Sequence, residues 1–178
     1  YWKDIKGVNI IAKLKGSTEP EKVIILTAHL DSGSIVPRLS PGAEEAISPA
    51  FLMYIAKHLA ENKRALKYSV WLVFLSGHWQ ALAGARWFVE DYFFNESKGI
   101  GKTFKPYITI NIDITSGSPE LVVKPGGFFY THVHTGAMLL YETLKHSTEE
   151  ILREFRSKYP SYYNRIKNLI FYINETTN

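Results

Sequence analysis

Hydrophobic positions along the chain fall into short runs typical of strands and into periodic stretches typical of helices. The strongest run is VIILTAHLD at 23–31, whose first six residues include five apolar ones, as in a strand buried on both faces. Further runs predict strands at 7–14, 68–76 and 106–114. Apolar residues at three- and four-residue spacing predict helices at 50–63, 81–92 and 136–159.

Strands that alternate with helices predict a layered α/β fold with a mostly parallel sheet. A short polar turn separates the strands at 7–14 and 23–31, which predicts that these two pair as an antiparallel hairpin. The segment 32–49 holds three Pro and two Gly and is expected to be a loop. Pro49 then suits the first turn of the helix that follows.

Polar side chains with catalytic potential follow three of the predicted strands. His29 and Asp31 end the strongest run, His78 follows 68–76, and Asp113 lies near the end of 106–114. Ligands of open α/β sheets bind at the carboxyl ends of the strands. His29 can offer a ring nitrogen to a metal while Asp31 holds the other ring N–H, although the same two residues can simply cap a loop.

Two adjacent carboxylates, Glu44 and Glu45, lie in the loop ahead of the first predicted helix. They suit either the positive end of a helix dipole or a metal ion. Together with the three strand ends, they form four polar clusters that converge on one sheet edge. This convergence favours a metal or catalytic site over a purely structural role.

Composition narrows the function classes. The 178 residues suit one domain, and 46% apolar with 21% charged residues is an ordinary globular composition. A net charge of +4 from scattered Lys and Arg gives no indication of nucleic-acid binding. The lack of Cys excludes disulfides, thiolate metal sites and a Cys nucleophile. The first residues show no signal-peptide pattern and start almost directly on a strand, so we expect a part of a longer chain.

Four stretches of the sequence carry a family resemblance: NIIAKLKGSTEPEKVIILTAHLDS, PGAEE, FLSGHWQALAGARWFV and INID. Their order and spacing over about 7–113 resemble the co-catalytic di-zinc aminopeptidase family, which also includes transferrin receptor, nicastrin and glutaminyl cyclase. The resemblance implies a three-layer sandwich, in which a central, mostly parallel mixed sheet carries helices on both faces. It also implies that 1–178 form a single peptidase-like domain.

The resemblance assigns roles to four of the residues above. His29 and Asp113 match metal ligands of the family, and Asp31 matches the Asp that supports the ligand His. Glu45 stands where the family has the Asp that bridges the two metals, and it is one methylene longer. The final His ligand of the family has no motif-supported match, because His132 and His134 lie nearer than expected.

The main departure concerns the family's Glu-Glu pair, a catalytic base followed by a metal ligand. The ALAGA stretch at 81–85 sets the register, and the pair falls on His78 and Trp79. An indole offers only an N–H donor and cannot bind a metal, so one of the two ions loses a carboxylate. An imidazole at the base position can still accept a proton.

These departures predict a zinc aminopeptidase-like domain that has lost dinuclear metallopeptidase activity and acts as a binding or scaffold module. The alternative is an active hydrolase with one zinc on His29, Glu45 and Asp113, and with His78 handling the proton. A glutaminyl-cyclase-like transferase is a third option, against which the changed Glu-Glu pair counts. At most one zinc ion is expected.

We expect a peptide or protein partner and no nucleic acid, with attachment to a membrane protein or to further domains outside this chain. The acceptor sequons at 95–97 and 174–176, together with the habit of the family, favour an extracytoplasmic, membrane-tethered location. No apolar run is long enough to predict a transmembrane helix.

Overall fold

A computed structural model describes residues 6–33, 36–39, 42–62, 66–95, 97, 104–114, 135–161 and 163. Two compact units divide the chain at 116/117. The first unit contains, in chain order, β1 (Ile10–Leu14), β2 (Glu19–His29), a 3-10 turn (Pro37–Leu39), α1 (Gly42–Glu61), β3 (Tyr68–Leu75), α2 (Ala83–Val89), a π turn (Glu90–Phe94) and β4 (Lys105–Asn111). The second unit contains α3 (Thr135–Lys158).

The four strands of the first unit form one mixed sheet in the order β1-β3-β2-β4. β2 runs parallel to both of its neighbours, and β1 runs antiparallel to β3. β2 and β3 occupy the two central places, which is why they carry the most continuous apolar runs. The predicted α/β fold with a mostly parallel mixed sheet is confirmed.

The predicted hairpin between the first two strands is wrong, because β3 lies between β1 and β2. The link after β1 crosses the start of β3 and bonds to it. The backbone N–H of Ser17 donates to the Leu66 carbonyl at 2.8 Å, and that of Gly16 donates to Ser69 Oγ at 3.1 Å. A side chain at position 16 would overlap the backbone of Tyr68, so glycine allows this close crossing.

Helices cover both faces of the sheet, as the sandwich requires. α1 packs on the face formed by Ala28, Val70, Leu72 and Phe74, to which it contributes Leu52. α2 and the π turn pack on the opposite face, whose buried residues are Val23, Ile25, Trp71, Val73, Phe88 and Phe104. Even-numbered residues of β3 face α1 and odd-numbered ones face α2, because side chains alternate along a strand.

The first helix begins eight residues earlier than predicted, at Gly42 rather than at position 50. Pro49 therefore lies inside α1 and not in its first turn. A proline there removes one hydrogen bond of the helix, to the carbonyl four residues earlier. A tertiary contact accompanies this longer helix: the fully buried Ser48 accepts the backbone N–H of Ile114 at 2.7 Å.

The remaining elements differ from prediction mainly at their ends. β4 ends at Asn111, so Asp113 lies in the loop that follows. α2 ends at Val89 and continues as the π turn, and α3 forms one uninterrupted helix. His132 and His134 lie outside the described residues. No helix in the described part of the chain is long and apolar enough to cross a membrane.

Candidate functional site

A hydrogen bond between His29 and Glu45 forms the centre of the candidate site. His29 is the last residue of β2, and Glu45 lies in the first turn of α1. The Nε2 atom of His29 is 2.7 Å from Glu45 Oε2, and the two side chains are only 10% and 13% exposed. The early start of α1 places this carboxylate against the end of the strand. The contact therefore ties α1 to the sheet edge.

A second imidazole, that of His78, lies beside the His29–Glu45 pair. The His78 ring stacks on the His29 ring, with centroids 4.3 Å apart and planes inclined by 28°. Trp79 contacts His78 edge to face, with centroids 5.3 Å apart. The Trp79 ring also lies against Gly33, where a Cβ atom would be 2.7 Å from it. Aromatic rings thus occupy the positions that the resemblance gives to a base and a metal-binding carboxylate.

Backbone geometry after β3 presents His78 to His29. Gly77 has φ +64°, which a glycine adopts without strain, and Ala81 and Leu82 also have positive φ. The carboxylate of Asp31 accepts the backbone N–H of His78 at 3.1 Å. In the described part of the chain, no hydrogen bond joins Asp31 to the His29 ring, so its family role as support for that ring stays a prediction.

Asn9 also supports this loop, and sequence reasoning missed it. Its Oδ1 accepts the backbone N–H of Ser76 at 3.0 Å, and its Nδ2 donates to the Gly84 carbonyl at 2.8 Å. A side chain at Gly84 would overlap the Ser76 carbonyl oxygen, so α2 can begin this close to the strand end only with glycine there. No local motif marks Asn9, because both of its partners lie far along the chain.

The predicted metal ligands are His29, Glu45 and Asp113. Catalytic zinc sites take three protein ligands and an open position. Among the described residues, no group of three His, Asp or Glu side chains could hold a metal ion. His29 Nε2 already contacts Glu45, and the exposed Asp113 does not complete a metal-binding group with them. These residues therefore do not fit a zinc ion in the arrangement observed, and their assignment as ligands stays a prediction.

The remaining chemistry of the site is that of imidazole and carboxylate. A carboxylate on one ring nitrogen orients a histidine, and an oriented histidine can take up or release a proton. Neither imidazole belongs to a group of three side chains that could hold a metal ion, among the residues that the structure describes. What the site provides is a hydrogen-bonded histidine–carboxylate pair and an aromatic rim at the carboxyl ends of two parallel strands.

Fold and site together define an α/β domain with histidine and carboxylate at the sheet edge where open α/β sheets bind ligands. The chain belongs to peptidase family M28, whose family model matches residues 9–165. This match confirms the resemblance to the co-catalytic zinc aminopeptidases. Members of the family are generally zinc-dependent. No curated protein matches the chain.

Proposed function

We propose that this M28 domain has lost dinuclear zinc hydrolysis and acts as a binding or scaffold module for a peptide or protein partner. The observation that carries the proposal is the stacking of His78 on His29, with Trp79 beside it. In the family register these positions belong to the base and to a carboxylate ligand. A second zinc ion would need an oxygen or nitrogen ligand that an indole cannot supply.

The residue at the position of the family's bridging ligand also supports the loss of dinuclear zinc hydrolysis. Two-metal hydrolysis needs ions about 3.5–4 Å apart, held by one shared ligand. Glu45 is the residue at that position, and one of its oxygens already contacts His29. A contact of this kind holds α1 on the sheet without any metal. The site would then serve stability, and its surroundings would serve binding.

Exposed apolar side chains beside the site support a role in binding. Trp79 is 55% exposed, and Leu82 and Leu30 are also exposed. Trp79 follows His78 in the chain and Leu30 follows His29, so both residues are next to a member of the stacked pair. Exposed apolar groups rimmed by polar ones are typical of protein contact sites, where tryptophan is often an anchor. An extracytoplasmic, membrane-tethered location of this domain is part of the proposal.

An active hydrolase with one metal is the competing proposal. Its support is the proximity of His29 and Glu45, which are two of its three predicted ligands. Asp113 would have to approach as the third ligand, and His78 would have to leave the stack to act as base. This rearrangement makes the competing proposal the weaker one.

Zinc content and aminopeptidase activity separate the two proposals. The full chain is equilibrated with zinc, dialysed and analysed for bound metal, and it is then assayed with aminoacyl chromophores. We expect almost no bound zinc and no release above the blank. About one zinc ion per chain, together with release that His29→Ala abolishes and His146→Ala leaves intact, would establish the competing proposal instead.

A further inference from the structure

A cavity lies on the α2 face of the sheet, at the end opposite the candidate site. Its volume is about 240 Å³. Tyr92 of the π turn reaches Trp71 edge-on, with ring centroids 5.3 Å apart. Beyond that contact β1 and β3 continue towards Lys15 and Ser69, which line the cavity. The cavity is the part of the sheet face that the short α2 segment does not reach.

The cavity has apolar walls on the sheet and a polar lining elsewhere. Trp71 and Phe104 are almost fully buried, and their rings lie 4.5 Å apart. Val23 completes this surface. Ser69 supplies a hydroxyl to the described part of the wall, and its Oγ donates to the Pro20 carbonyl and accepts the N–H of Gly16. An apolar cavity of about 150 Å³ holds a benzene molecule, so this one has room for a substituted aromatic ring.

Two ammonium groups border these apolar walls. Lys13 Nζ lies 3.9 Å from the centre of the Trp71 ring, and Lys15 also lines the cavity. Among the described residues, no carboxylate forms an ion pair with either lysine. Lys22 and Lys67, at the same sheet edge, both pair with Glu19. Within the described residues, the Lys13 ammonium is held by the rings of Trp71 and Tyr92, at 3.9 and 4.8 Å from their centres, and not by an anion.

We propose that this cavity binds a ligand that combines one aromatic ring with a carboxylate. The ring packs beside Phe104 and Val23, next to the Trp71 ring that Lys13 covers, and the carboxylate lies between the ammonium groups of Lys13 and Lys15. A free arylalkanoic acid and the C-terminal Phe or Tyr of a peptide share this chemistry. Along β2 the cavity is roughly 20 Å from His29, so the proposal does not rest on the function of the other site.

Matched acids and amides test the proposal. The full chain is titrated calorimetrically with 3-phenylpropionate, 3-phenylpropanamide, acetyl-Gly-Phe and the amide of acetyl-Gly-Phe. We expect both acids to bind and both amides to bind at least about tenfold more weakly, because the amides lack the charge. Tighter binding of the peptide acid would identify a peptide terminus as the natural ligand, and tighter binding of the free acid would identify a small molecule.

Lysine variants localise the binding. Lys13→Gln and Lys15→Gln should each weaken the binding of the acids by roughly fivefold. This factor corresponds to the upper range for an exposed ion pair. Lys105→Gln is the matched control, since Lys105 is an exposed lysine of β4 outside the cavity lining. Circular dichroism checks that each variant is folded. Absence of binding at millimolar acid, equal binding of acid and amide, or full binding by a folded Lys13→Gln/Lys15→Gln variant would each overturn the proposal.

Discussion

The imidazole of His29 stacks on the imidazole of His78, and the hydrogen bond from His29 to Glu45 extends this stack to α1. The two histidines meet because they follow neighbouring parallel strands, in which His29 is paired with Leu75. Three elements that are distant in sequence are thereby joined at one sheet edge. The joint uses positions to which the family resemblance assigns metal binding and proton transfer, and that assignment stays a prediction.

Replacement of His29 by alanine should lower the free energy of unfolding. His29→Ala leaves the nearly buried Glu45 carboxylate without its partner, and such a loss costs about 2–3 kcal/mol of unfolding free energy. Urea unfolding measures the change. His146→Ala is the control, because that side chain is 72% exposed, and it should change stability by less than about 0.5 kcal/mol. Equal effects of the two variants would contradict a structural role for the contact.

Chelation should leave stability unchanged. The His29–Glu45 contact needs no metal, so EDTA treatment of the purified chain should not shift the thermal unfolding midpoint. Added zinc should not raise the midpoint either, whereas a ligand that binds only the folded state stabilises it by RT ln(1 + L/Kd), where L is the free ligand concentration. A midpoint that rises steadily with zinc in the wild type, but not in His29→Ala, would favour the mononuclear hydrolase.

A side chain at Gly84 should disrupt the loop that carries His78. The added Cβ of Gly84→Ala overlaps the Ser76 carbonyl oxygen, which cannot move without loss of its place at the strand end. We expect a loss of about 2–4 kcal/mol in urea unfolding, typical of overpacking against backbone. The neighbouring Ala85→Gly should cost only about 1 kcal/mol, through helix propensity. If the alanine variant were the more stable of the two, the close contact would not exist in solution.

The loss of stability at acidic pH should depend on Glu19. Hydrogen bonds from Lys22 and then Lys67 lower the pKa of Glu19 from its ordinary 4.5. The contribution of a carboxylate with a lowered pKa is present above the unfolded-state pKa and is lost as the pH falls through the folded-state pKa. The wild type should therefore lose stability more steeply below pH 4.5 than Glu19→Gln. Glu21→Gln, which changes an exposed neighbour, should follow the wild type.

The ion pairs of Glu19 with Lys22 and Lys67 also affect stability at alkaline pH, where stability is lost as the pH rises. Glu19, and after it Tyr68, raise the pKa of Lys67 to about 12. That contribution is complete below pH 10.5 and is lost as the pH rises through about 12. Lys67→Gln should accordingly reduce the loss of stability in this range. The effect is small, because Lys67 is well exposed.

Local patterns predicted the centre of the sheet and the identity of its polar edge. The apolar runs at 23–31 and 68–76 became β2 and β3, whose ends differ from prediction by only one to a few residues. The burial of a central strand is visible in its own residues, since both of its faces must be apolar. The convergence of His29 and His78 was predictable for a related reason, because parallel strands end at the same edge.

Contacts between distant residues decided the rest. β1 pairs with β3 rather than with the strand that follows it, and nothing in either sequence segment specifies that partner. The start of α1 at Gly42 accompanies the contacts of Glu45 with His29 and of Ser48 with Ile114. The carboxylate of Asp31 bonds to a backbone N–H, and Asp113 remains exposed. The sequence by itself determined which chemical groups reach the edge, because a strand directs its own end. Only the tertiary structure decided which of them touch, because a hydrogen bond depends on both partners and their elements meet only in the folded chain.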